Sequence, residues 1–541
     1  MKTRRGYLPK DEIYPLIGLN TLDPSPQADQ RTSPNCQNVL FTKGIVQKRS
    51  GYGYLGDAIS GTVLGLVEFE TLSGTKYLLC LTTTKQYKLQ YDGGTGVYTW
   101  DNLTYKPSGS DVNWTGDESD TLDYAVVTGF DSGTLKKWII ITNGKDQPRY
   151  WDGSMSRFGL YAPTGISGVS TTWTCKTLIS FYDHLILANL TDSSSNKTRT
   201  TLYWSKYQNL TDFATGAAYD SGVAVLTDTS GEILKIERLA DRAYIYSQDA
   251  IHAMVYVGGA LTYTFEKTLE ASRLLHKKSA VNVGPYHLFM SQENVSYFDG
   301  TRMPREVGDR ISRSLRDELY SSKAYFAFAF HDAAKRQVYF SYPTGVDSAA
   351  MYHLEYTSND SLGGRWTKLK FANRITAMGF YSRNIDLAYD STQFSGVPYY
   401  GSSMSYAQGS IKGGFPVRVM GGSGRAYIAD DTTQNDITTA IDSWWDSIDF
   451  TVPEAYQSEY GRWIELELEM KGFEADVYYS TDKGETYTFV ERVDLDSGWE
   501  KYKINIDVMS KTFRVRIRNN CASSTFSLRW LRVWVQPGGP A

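Results

Sequence analysis

The stretch HLFMSQENVSYFDGTRMPREVGDRI, residues 287–311, decides how the chain is read. Leu288, Phe289 and Met290 are apolar, a polar run follows, and Val295 and Tyr297 then alternate into Phe298, the pattern of a strand pair. The second strand stops on Asp299-Gly300. Asp bonds its own backbone and Gly tolerates positive φ, so this pair is turn chemistry. The same ending recurs as Tyr91-Asp92-Gly93 and as Tyr150-Trp151-Asp152-Gly153. About 60 residues separate the first two units and about 147 the last two. Repeats of aromatic strand plus Asp-Gly predict divergent blades of a β-propeller, with irregular and unmarked blades between the marked ones. The competing reading is three unrelated hairpins, because Asp-Gly is itself a strong hairpin signal.

The bulk composition fits aromatic strands joined by glycine turns: 40 Tyr, 13 Trp and 47 Gly against 16 Pro in 541 residues. A chain of this length needs two or three cores. The net charge of −4 provides no overall attraction to nucleic acid or an anionic membrane. Cys36, Cys80, Cys175 and Cys521 stand far apart and form no CxxC pair, so reduced thiols are expected rather than a zinc site or disulfide framework. The basic start MKTRR is followed by Pro9, Lys10, Asp11 and Glu12 where a signal peptide would be apolar. There is no run of about 18 apolar residues to span a bilayer. The expectation is a soluble protein without an export signal.

Along the chain, residues 1–57 form an extended arm and a first hairpin. Pro9, Pro15, Pro24 and Pro26 favour extended backbone in the arm, and Lys2, Arg4 and Arg5 are its charged tip and candidate arm contacts. The arm is read either as laid over this chain or a neighbouring subunit, or as a disordered tail. Short strands separated by Gly, Asn, Asp and Ser clusters fill residues 58–400, the propeller-like domain. Within it, Ile311, Leu315 and Leu319 make one apolar face of a helix that Asp309 is placed to cap. Residues 401–439 are Gly/Ser/Asp-rich and read as a linker, and residues 440–541 carry six or more strands, enough for a β-sandwich of jelly-roll size. The fold class is therefore all-β: an irregular β-propeller-like domain with an extended N-terminal arm and a C-terminal β-sandwich.

The motif search is mostly negative. His184, His252, His276, His287, His331 and His353 are single, without metal-ligand spacing, and no cofactor site is read. The glycines of the GxGxxG at Gly51, Gly53 and Gly56 have no following helix and read as turn residues. GxSxG and the P-loop are absent. Residues 480–487, STDKGETY, resemble the Asp-box of sialidase-like propellers, a hairpin-stabilising device, with Tyr487 in place of the usual Trp. Asp430-Asp431 reads as a solvated turn rather than an acid/base pair. Basic residues cluster at Arg302, Arg305, Arg310, Arg313 and Arg316, with Arg273, His276, Lys277 and Lys278 upstream. Such a group can contact a DNA backbone or pair with carboxylates of this or an adjacent subunit.

Four ordered segments carry a resemblance: CQNVLFTKGIVQKRSGYGYLG (36–56), NGKDQPRYWDG (143–153), DHLILANL with LYWSKYQNLTDF (183–213), and VSYFDGTRMPREVGDRI (295–311). Together they resemble tailed-bacteriophage virion proteins, the propeller-like tail-tube, nozzle or genome-stabilising proteins of short-tailed phages, over residues 13–345. The resemblance implies a virion protein, assembled in the host cytoplasm as a ring of copies with six as the expected number. Its partners would be the head-to-tail adaptor, tail fibres and double-stranded DNA passing non-specifically through the channel, without stable membrane insertion. It implies a structural role in retaining and releasing the genome, and the family has no catalytic motif to transfer, so a non-enzyme is expected. The alternative is a receptor-binding or glycan-degrading tail protein with a sugar-binding β domain, and a further one is a host-side carbohydrate-binding propeller.

Overall fold

A computed structural model describes residues 8–9, 12–15, 17–23, 28–42, 44–92, 97–170, 172–216, 219–270, 274–301, 303–345, 349–355, 364–382, 416–452 and 460–538. The regular structure is nearly all strand, with one α-helix, Asp309–Glu318, among the described residues. Four antiparallel sheets follow one another along the chain as simple up-and-down units. They are Val63–Glu70 to Val97–Asn102, Asp123–Asp131 to Gly159–Leu160, Thr174–Phe181 to Gly222–Val225, and Ile233–Leu239 to Tyr263–Leu269. A fifth runs from Ala280–Asn282 to Arg305–Glu306, and a sixth from Phe328–Asp332 to Arg365–Leu369. The seventh is composite. Its first three strands are Ala377–Tyr381, Val417–Gly421 and Ala426–Asp430, and its fourth is Gly51–Tyr54 from the other end of the chain.

Closure into a propeller is visible in the cores. Separate apolar clusters lie between blades one and two (Phe69, Leu79, Ile139, Trp151), two and three (Val127, Trp138, Leu185, Leu187), and three and four (Ile186, Leu202, Ile245, Met254). Others join four to five (Tyr246, Ile251, Phe289, Phe298), six to seven (Phe328, Tyr339, Met378, Met420) and seven to one (Val419, Ala426, Leu66, Cys80). Blades five and six share Leu288, Met290, Val338 and Phe340 with the large cluster that extends into the sandwich. Each sheet thus buries both faces against its neighbours, which explains why the strands read as near-continuous apolar runs such as Trp138-Ile139-Ile140-Ile141.

The Asp-Gly units now have one meaning. Asp92, Asp152-Gly153 and Asp299-Gly300 each follow the third strand of a blade, in blades one, two and five. The first spacing is therefore one blade, and the second, about 147 residues, is three blades of about 49 each. Gly153 (φ 88°) and Gly300 (φ 81°) occupy the left-handed region that the turn requires; Gly93 lies outside the described residues.

The sandwich is built from both chain ends. One sheet has the order Glu500–Ser510, Gly461–Gly472, Phe526–Pro537, Ile45–Lys48, Val39–Thr42, and Leu8–Pro9 pairs beside Phe526–Pro537. The other runs from Thr488–Asp494 through Glu474–Ser480, Thr512–Asn519 and Ser443–Asp446 to Cys36–Gln37, and continues unbroken into blade six. The stretch read as a linker, 401–439, carries two strands of blade seven, and the propeller extends beyond residue 400 accordingly. The arm lies on its own chain: Ile13 and Leu19 are buried in the shared core, and Ile13 bridges Leu531. Lys2, Arg4 and Arg5 lie outside the described residues.

Two local expectations are corrected. Gly51 and Gly53 are not turn residues but part of the closing strand, where a Cβ on Gly51 would stand 1.8 Å from the Asn435 carbonyl oxygen. The helix is capped by Gly308, and Asp309 instead accepts a 2.9 Å hydrogen bond from Asn294 Nδ2. In the Asp-box-like turn, Asp482 accepts from Ser480 Oγ (2.7 Å) and the Thr486 N–H (2.9 Å), while Tyr487 donates to Asp446 at 2.6 Å.

Candidate functional site: the axial cavity

The first strands of the blades surround an axial cavity of about 540 Å³. Its wall takes Leu64 to Glu68 from blade one, Leu122 to Tyr124 from blade two, Lys235 and Glu237 from blade four, and Phe328 to His331 from blade six. Lys277 and Lys278, immediately before blade five, also line it.

Three half-buried carboxylates meet here, each held differently. Glu68 accepts from the Ser382 N–H (2.6 Å) and Ser382 Oγ (3.2 Å) and pairs with Lys76 at 3.3 Å. Asp123 accepts from Thr177 Oγ1 at 2.6 Å and from the Tyr124 N–H at 3.0 Å. Glu237 pairs with Lys235 at 2.8 Å. Tyr124 senses both Asp123 and Glu237: burial, reinforced by these two negative charges, pushes its phenol up to about 12.

The lysines tie the wall together. Lys278 Nζ donates to the Leu64 carbonyl at 2.6 Å, Lys277 Nζ to the Lys176 carbonyl at 3.1 Å, and Lys235 Nζ to the Ala280 carbonyl at 2.9 Å. Burial pulls Lys277 down to about 8, and burial together with the Lys277 charge pulls Lys278 down to about 7. Burial also lowers His331, which therefore stays neutral at pH 7. The cavity combines acceptors, donors and an apolar floor in a neutral balance of lining charges, and carboxylates with lysines near their midpoint can give and take protons.

The basic cluster read from the sequence divides. Lys277 and Lys278 enter the axial cavity, whereas Arg305 sits on the outermost strand of blade five and Arg310, Arg313 and Arg316 on the following helix at the rim. Arg313 pairs with Asp317 at 4.0 Å; Arg302 lies outside the described residues. Glu68, Asp123 and Glu237 escaped the motif search because they come from three blades and share no linear spacing. The only signal for them was an acid within or beside an apolar strand, as in VLGLVEFE and ILKIERL. No metal-holding group of three or more His, Cys, Asp or Glu occurs among the described residues.

No protein-family model matches the chain, and no curated protein does. Among solved structures it is similar to a glycoside hydrolase, at 13% identity over 88% of this chain and 99% of that one, with a TM-score of 0.25. It is also similar to the exo-β-1,3-galactanase of Phanerochaete chrysosporium (10% identity, 90% and 99% covered, TM-score 0.24). A family 43 arabinoxylan arabinofuranohydrolase from Bacillus subtilis matches at 9% identity over 95% and 98%, with a TM-score of 0.22. These structures are described as glycoside hydrolases and not as tail proteins, so the expectation of a structural tail-nozzle component without enzymatic activity is set aside. At such TM-scores they transfer neither a substrate nor a catalytic residue. The non-enzyme reading also rested on missing carboxylate motifs, and the fold supplies the carboxylates without a motif.

Proposed function

We propose that the protein acts on a glycan, holding a saccharide in the axial cavity and cleaving a glycosidic bond there. One observation carries this reading: acids from separate blades converge on a single cavity large enough for a small ligand. Hydrolysis of a glycosidic bond needs one carboxyl that gives a proton and another that takes one or attacks. Asp123 and Glu237, which both act on Tyr124, are the pair assigned to these roles. Glu68 is committed to Lys76 and Ser382 and serves to position the wall. The sugar's apolar face would rest on Leu66, Phe330 and Met378, with Tyr124 and the lysines on its hydroxyls. The test is release of reducing ends from a panel of polysaccharides by the full-length protein. Asp123→Asn and Glu237→Gln should each lower the rate by about 10²–10⁴ while leaving the melting transition in place. No release from any polysaccharide, or full rates in both variants, overturns the reading.

A further inference from the structure

A second cavity, of about 380 Å³, opens where blades three and four meet, away from the axis. It is lined by Ser180, Tyr182, Asp183, Tyr207, Arg238 and Tyr256. Three of these are large aromatic side chains left in solvent: Tyr182 is 39% exposed, Tyr207 50% and Tyr256 36%. Tyr182 and Tyr256 lie nearly parallel, with centroids 4.7 Å apart and planes 17° apart, and so form one continuous aromatic wall. Across from it the polar groups are already arranged. Gln208 Nε2 donates to Asp183 Oδ2 (3.4 Å) and to the Tyr207 phenol oxygen (3.3 Å), and the Tyr207 phenol is raised by its own hydrogen bond to Asp183 and by that carboxylate's charge. Arg238 donates through Nε to the Ala240 carbonyl at 2.9 Å, and its guanidinium lies over the Phe181 ring at 6.0 Å.

The backbone places these groups at a cost. Tyr182 and Asp183 form the two-residue turn between Thr174–Phe181 and His184–Thr191, with φ of 48° and 60°. That turn ordinarily takes Asn-Gly, and a bulky residue in the left-handed region is disfavoured there.

We infer that this cavity is a saccharide-binding subsite for a neutral sugar, separate from the axial cavity and extending the glycan reading on which it rests. Flat aromatic faces in water take the C–H face of a pyranose ring, and a carboxylate with a guanidinium takes its hydroxyls. One carboxylate and one guanidinium cancel, which disfavours both phosphate and quaternary ammonium ligands.

The experiment is retention of the full-length protein by immobilised neutral oligosaccharides, read in the wild type and in an Asp123→Asn background. That background removes cleavage, so binding is measured whether or not the axial cavity hydrolyses anything. Tyr182→Ala and Tyr256→Ala should each weaken retention by about tenfold, and Tyr182→Phe should restore it. Tyr91→Ala, an equally exposed tyrosine on blade one, should change nothing. Retention unchanged in both alanine variants overturns the subsite, as does displacement by choline or inorganic phosphate in place of free neutral sugars.

Discussion

Blades one to four and the sandwich are built from the same kind of strand, yet they close in opposite ways. Each of the first four blades is one uninterrupted stretch of chain whose sheet begins and ends within itself. In the sandwich neither sheet is complete without residues from the opposite terminus, and one sheet runs on into blade six through Cys36–Gln37. The difference teaches where this molecule keeps its unity. Local strand pairing makes the blades, while a few N-terminal strands join ring, seventh blade and sandwich into a single body.

Deleting residues 1–54 is the severest way to break that comparison. The deletion removes the fourth strand of blade seven and the sandwich strands Val39–Thr42 and Ile45–Lys48. Unpaired edges and an opened core should leave no cooperative thermal transition by circular dichroism. The fragment 440–541 should behave likewise and fold only when residues 36–48 are fused to it; cooperative unfolding of the bare fragment would make the sandwich as self-sufficient as a blade.

A single substitution at the same junction comes next. Arg49 (4% exposed) meets Asp436 (3%) through two hydrogen bonds of 2.8 and 2.7 Å, and its guanidinium also donates to Asn38 Oδ1 and the Lys370 carbonyl. Arg49→Ala leaves that carboxylate buried without its cation. The expected loss is about 3–5 kcal/mol in urea unfolding, and Arg49→Lys should recover only part because it lacks the planar fork. A loss under 1 kcal/mol would show that the junction is held by strand pairing alone.

The smallest effect sharpens the other side. Asp249 in blade four binds Thr229, Ser230 and the Gly231 N–H, and the Thr229 hydroxyl leads in holding its carboxyl down to about 2. A carboxylate lowered in the folded state contributes stability above its ordinary pKa of 3.8. That contribution disappears as pH falls from about 4 to about 2, so Asp249→Asn should flatten the stability curve in that window and lower it by a constant amount above pH 5. An unchanged acid limb would show that the blade-four loop is held without its charge.

How much of this was readable beforehand follows the same division. Strands such as 124–127 and 138–141 were legible because alternation and turn residues are local, and the Asp-Gly units marked equivalent corners of blades one, two and five. The blade count was not legible, because blades three and four lack the marker. The Gly/Ser-rich stretch before residue 417 disguised the return of the chain to blade seven, since pairing of Ile428 with Gly53 leaves no local trace. Glu68, Asp123 and Glu237 were invisible for the same reason, as only closure of the ring gives them a common neighbour. Tyr182 and Tyr256 were ordinary strand-end aromatics until two blades set them 4.7 Å apart.

The strand Gly51–Tyr54 also fixes an order of events in time. It leaves the ribosome ahead of its partner Ala426–Asp430, which follows about 375 residues later. At roughly 5–20 residues per second that is about 20–75 s during which blades form, one after another, on a ring that cannot shut. The nascent protein therefore passes through a crescent with two exposed sheet edges. Pairing across such a separation is slow, and the final step of folding is the meeting of the oldest and newest segments of the propeller.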